Sequence, residues 1–94
     1  MDIKILESFS EKLNSQIKYI ARDKPAAARK FKNGVLQALN SISKMPYKNR
    51  KSIYFDDNEI SDLIFKGYKI VYRINKSKNQ IEVFGFVNFQ NTLK

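Results

Sequence analysis

The chain has no cysteine and no histidine, and only three glycines and two prolines among its 94 residues. Without cysteine there is no disulfide framework and no thiolate to act as nucleophile or ligand, which fits a reducing cytoplasm. Without histidine there is no imidazole ligand, no Ser-His-Asp triad and no side chain that titrates unperturbed near neutral pH. Neither a metal nor a cofactor is expected. No apolar run approaches the roughly 20 residues that a membrane span needs. The opening Met1-Asp2-Ile3-Lys4-Ile5-Leu6-Glu7 carries charges where the apolar segment of a signal peptide would lie. The expectation is a cytoplasmic protein with no membrane partner. What is present is 43% hydrophobic and 29% charged, with seven Phe and five Tyr spread along the chain. That composition excludes disorder and supports one modest core, hence a single domain over residues 1–94.

The net charge of +9 is unevenly placed. Residues 1–21 balance. Residues 22–51 hold nine bases (Arg22, Lys24, Arg29, Lys30, Lys32, Lys44, Lys48, Arg50, Lys51) against Asp23 alone. Residues 52–65 hold four acids and no base, and the remainder holds six bases against Glu82. A segment of such excess attracts polyanions (nucleic acid, acidic protein tails, anionic lipid heads) or simply remains a solvated helix face.

Asp2-Ile3-Lys4-Ile5 alternates and predicts a short strand. Ser8-Phe9-Ser10-Glu11 fits a capping box, and Phe9, Leu13, Ile17, Ile20 and Ala21 form one helical stripe ending near Arg22. Asp23-Lys24-Pro25 restarts the helical pattern, since proline is tolerated in a first turn. Ala28, Phe31, Val35, Leu39 and Ile42 form a second stripe, which leaves Arg29, Lys30 and Lys32 facing water. Gly34 within it costs about 1 kcal/mol relative to alanine, a cost that close packing on the neighbouring helix would justify. Met45-Pro46 ends the helical region. Beyond it the period becomes two: strands are predicted at Ser52–Phe55, Glu59–Phe65, Tyr68–Asn75 and Gln80–Phe89, with a tight turn at Lys66-Gly67. The last strand, apolar on both faces, belongs in a central position. The predicted fold is α+β: an N-terminal strand, a helical hairpin, then an antiparallel four-strand meander with the hairpin on one face.

Asp62-Leu63-Ile64-Phe65-Lys66-Gly67-Tyr68-Lys69-Ile70-Val71-Tyr72-Arg73-Ile74 resembles the strand–Gly–Tyr–basic–strand signature of the RelE/ParE superfamily, toxins of bacterial type II toxin–antitoxin modules. Tyr19 to Ala28, with Asp23-Lys24-Pro25 at its centre, resembles the helix–Asp–x–Pro–helix junction of the ParE branch. Pro46 before a basic stretch and Ile81-Glu82-Val83-Phe84 also fall where the superfamily has them, so the resemblance covers almost the whole chain. It implies a cytoplasmic toxin neutralised by a small antitoxin in a hetero-oligomer, with a part in plasmid stabilisation. RelE-like members cut messenger RNA on the ribosome; ParE-like members are associated with poisoning DNA gyrase.

Metal-free RNA cleavage needs activation of the 2′-hydroxyl, cations around the phosphorane and an acid for the leaving oxygen. Lys69 matches the superfamily's base after Gly-Tyr. Asp62 stands where the nuclease branch carries another base, and an acid there repels phosphate. Asn88-Phe89-Gln90-Asn91 replaces a basic pair, and the sequence ends at Lys94, before the region of a terminal catalytic tyrosine. No catalytic residue is therefore assigned. Arg50, Lys51, Lys69 and Arg73 are the candidates for binding a target or a phosphate, and Lys48 beside Tyr47 extends the same cluster. Lys69 and Arg73 share a strand face and either grip an anion or form its solvated side. Tyr68 and Tyr72, on the alternating apolar face, belong to the core. Phe84, Phe86 and Phe89 exceed what core filling requires and are assigned to the antitoxin. The leading expectation is a ParE-like toxin acting on a protein target. The alternatives are a ribosome-dependent messenger-RNA endoribonuclease and a non-toxic basic nucleic-acid-binding module.

Overall fold

A computed structural model describes residues 1–88. The elements are β1 (Asp2–Ile5), α1 (Glu7–Asp23), α2 (Pro25–Lys44), β2 (Arg50–Lys51), β3 (Ile60–Phe65), β4 (Tyr68–Asn75) and β5 (Gln80–Asn88). The sheet order is β1-β5-β4-β3-β2. β2 to β5 form the expected antiparallel meander. The opening strand adds a fifth member, parallel to β5 with Ile3 opposite Ile81, so the sheet is mixed rather than four-stranded and antiparallel. A four-residue strand has no stability of its own, and β5 has an edge to offer it. The Leu6 N–H continues the pairing by donating to the Val83 carbonyl.

Both helices lie on one face. Phe9 and Leu13 from α1, and Phe31, Val35, Ala38 and Ile42 from α2, meet Tyr68, Ile70, Tyr72 and Ile74 of β4 and Ile81, Val83 and Phe86 of β5. At the centre Tyr68 and Phe86 stack with centroids 4.8 Å apart, and Phe9 meets Phe86 edge-on at 5.6 Å. The single residue between the helices, Lys24, is followed by proline at the first position of α2, as the sequence predicts.

Several local expectations are corrected. Ser8 does not cap α1; the helix begins at Glu7 with Leu6 before it. The Ser8 hydroxyl instead donates to the Phe84 carbonyl at 2.8 Å. β2 is only Arg50–Lys51, paired with Asp62 and Ser61, and the predicted strand at Ser52–Phe55 lies in the loop that follows. In β5 the pairing register shifts, with Tyr72 opposite Val83 but Val71 opposite Gly85. The extra residue, Phe84, reverses the alternation. Ile81, Val83 and Phe86 therefore face the helices, while Val87 lies opposite Lys69 on the other face.

Gly34 faces β3 and not the other helix. A Cβ there would lie 2.5 Å from Cζ of Phe65, whose ring fills the space. The β3–β4 turn places both Lys66 (φ 47°) and Gly67 (φ 84°) in the left-handed region, as a tight two-residue hairpin demands. Gly34→Ala gains helix propensity of about 1 kcal/mol but overpacks Phe65 at a cost of about 1–3 kcal/mol. Urea unfolding should show net destabilisation in the wild-type background and net stabilisation in a Phe65→Leu background. Stabilisation in both would show that the ring gives way freely.

Candidate functional site

The second face of the sheet carries Ile60, Asp62 and Ile64 of β3, Lys69, Val71 and Arg73 of β4, and Glu82, Phe84, Gly85 and Val87 of β5, as strand register and pleat require. It is not bare. The loop joining β2 to β3 runs across it, which is why Val71 (1% exposed) and Lys69 (6%) are buried.

Three side chains hold this loop down. The Lys69 ammonium donates to the Tyr54 hydroxyl at 3.1 Å and lies 4.4 Å from the centre of its ring. The Phe55 and Phe84 rings meet edge-on at 5.6 Å. The Arg73 guanidinium pairs with the Asp57 carboxylate at 3.4 Å. Asp57 also accepts the Glu59 N–H, and the Lys51 ammonium donates to the Asn58 carbonyl. Arg50 donates to Asp62 at 3.0 Å, and that carboxylate is fully buried.

All four predicted cations thus lie on or beside this face, and each has a partner within the chain. Arg50 answers Asp62, Lys51 the Asn58 carbonyl, Lys69 the Tyr54 hydroxyl and ring, and Arg73 Asp57. Arg73 also stands opposite Glu82. Gln80 and Asn75 donate to the Glu82 carboxylate, at 2.7 and 3.3 Å, and together with nearby Lys78 and Arg73 hold its pKa below the ordinary value. The carboxylate expected at Asp62 to repel phosphate is present, and it acts within the chain as the partner of Arg50. Lys48 and Tyr47 are exposed, with the Lys76 ammonium 5.9 Å from the Tyr47 ring.

The three phenylalanines assigned to a partner do not form one row. Phe86 is a core residue, closed in by Phe9, Phe31 and Tyr68, because the extra residue in β5 turns it toward the helices. Phe84 is half-buried on the opposite face beside Phe55. Phe89 lies outside the described residues. Sequence reasoning missed Tyr54, Phe55 and Asp57 as components of the site. The available signal was four acids and three aromatics within 52–65, directly before a cationic strand.

Tyr72, expected in the core, has a second task. Its buried hydroxyl donates to the Pro46 carbonyl at 2.6 Å and accepts from the Asn49 amide at 3.1 Å, which fixes the approach to β2. Among the described residues no cluster of acids is arranged to hold a metal ion, and no helix is long and apolar enough to cross a membrane.

A helical hairpin laid on a meander, with a parallel first strand and a loop-covered outer face, defines a small α+β protein. The family described as ParE toxin of the type II toxin–antitoxin system, parDE, matches residues 3–88, and the chain belongs to that family. No curated protein matched the chain.

Burial raises the pKa of Tyr72 above the ordinary phenol value, outweighing the hydrogen bonds from Asn49 and Ser61 that lower it. A raised folded-state pKa contributes stability that is complete below the unfolded value near 10 and is lost as pH rises through the folded value. Tyr72→Phe should cost about 1–2 kcal/mol near neutral pH. It should also make the alkaline fall in stability shallower, measured by urea unfolding from about pH 9 to 11. Parallel pH profiles for both proteins would contradict the buried, doubly bonded phenol.

Proposed function

We propose that this toxin acts by binding a protein target and that a cognate antitoxin holds it inactive in a hetero-oligomer. One observation carries the preference for binding over RNA cleavage: each cation of the sheet face is already matched by a group of the chain itself. A phosphorane would have to displace Tyr54 from Lys69 and Asp57 from Arg73. No histidine is present to move protons. DNA gyrase is the target that the ParE branch suggests, and Phe84 beside Phe55 is the part of the phenylalanine set that a partner would reach.

Induced expression should arrest growth, and co-expression of the antitoxin should restore it; normal growth at high expression would contradict toxicity. Primer extension on translated messages should show no new 5′ ends within codons. Such ends would establish the endoribonuclease alternative. Purified protein should inhibit gyrase supercoiling, and an unaffected reaction at excess protein would remove gyrase as the target while leaving the protein-binding reading to other targets.

A further inference from the structure

The cations of the helices are arranged in the opposite way from those of the sheet. Among the described residues the only ion pairs are Arg50–Asp62 and Arg73–Asp57. Lys24, Arg29, Lys30 and Lys32, on and just before the first half of α2, are exposed and make no ion pair there. α2 carries Arg29, Lys30, Lys32 and Lys44 and no acid, so its positive charge is not offset along its own length.

Where α2 meets the β3–β4 turn there is a hollow of about 450 Å³ lined by Lys30, Asn33, Gly34, Gln37, Phe65 and Lys66. Its shape follows from two features already described. The missing side chain at Gly34 lets the Phe65 ring approach the helix, and the left-handed turn carries Lys66 beside that ring. The Lys66 ammonium lies 5.6 Å from the ring centre, so the lysine is held near the hollow. Two ammonium groups and two carboxamides supply donors, and no acid lines the site.

We infer that this hollow, flanked by Lys30 and Lys66, binds the phosphodiester backbone of a nucleic acid, with Lys24, Arg29 and Lys32 adding attraction along the helix. A protein partner fits the chemistry less well. The cores of protein interfaces are depleted in lysine and rich in aromatic anchors, whereas lysine and amide side chains are ordinary donors to phosphate oxygens. Point charges on flexible stems bind without reading sequence, so affinity should depend steeply on salt and little on base composition. This binding is separate from the protein-target reading and stands or falls independently of it.

The test is fluorescence anisotropy of the full chain with a labelled DNA duplex and a labelled single-stranded RNA, each of about 20 nucleotides per strand, across a salt series. Lys30→Gln/Lys66→Gln should weaken binding about tenfold or more at 0.1 M salt and reduce the log–log salt slope by about two. Lys4→Gln/Lys78→Gln removes the same charge from exposed sites elsewhere and should change binding far less. Equal losses in the two double variants would overturn the site in favour of net charge alone. Displacement of the nucleic acid by poly-glutamate at matched charge concentration would overturn it in favour of an acidic polypeptide. Circular dichroism of each variant confirms that the surface changes leave the fold intact.

Discussion

Asp62 is a fully buried carboxylate that meets the Arg50 guanidinium across the β2–β3 edge. Because the Arg50 side chain is about half exposed, the pair contributes little net stability, yet loss of Arg50 would leave the buried carboxylate without its cation and destabilise the fold. The pair therefore acts as a positional constraint. It fixes a two-residue strand that backbone pairing alone would hold weakly. From that anchor the chain runs across the same outer face of the sheet, where Tyr54, Phe55 and Asp57 reach Lys69, Phe84 and Arg73. Tyr72 secures the same segment from the core side through Pro46 and Asn49.

The acidic block at 52–65 and the bases of β2 and β4 thereby become one electrostatic unit. Arg50, Lys51, Lys69 and Arg73 are matched by groups of the chain on the outer sheet face, whereas α2 carries four cations and no acid. This division argues against a catalytic phosphate site on the sheet. Cations that stabilise a phosphorane act through being preorganised and unoccupied at the reacting centre, and here they are engaged with the covering loop. The two hydrophobic faces of β5 serve different ends. Its helix side closes the core through Phe86, and its outer side gives the loop a landing place at Phe84.

Much of this fold was legible in the sequence because periodicity reports burial. The stripes Phe9–Leu13 and Ala28–Phe31–Val35–Ile42 gave both helices, and Tyr68 to Asn75 gave β4 with its faces correctly separated. The position of β5 inside the sheet followed from its apolar content, although its partner β1 is parallel. The extra residue at Phe84 was not legible, because one inserted residue leaves no local mark yet reverses every side chain beyond it. Nor was the loop, since Ile53-Tyr54-Phe55 has the composition of a strand and its conformation is set by distant residues. The candidate cations were found, but their partners were not. Charge can be counted along a sequence, whereas neutralisation depends on which acid the fold brings within hydrogen-bonding reach. Gly34 shows the same limit: the need for close packing was readable, but the neighbour, Phe65, was not.

The measurement that bears most directly on the covered sheet face is the nuclear Overhauser effect between aromatic rings in a protein with labelled phenylalanine and tyrosine. Edge-on contact at 5.6 Å between centroids requires strong cross-peaks from Phe55 to Phe84, and the Tyr54 ring should show contacts to the ε-methylene of Lys69. Observation of both places the loop on the sheet and keeps its cations engaged. Their absence in an otherwise folded protein, with the Phe86–Tyr68 contacts intact, would mean that the face is open, its lysine and arginine accessible to phosphate, and the non-catalytic account wrong.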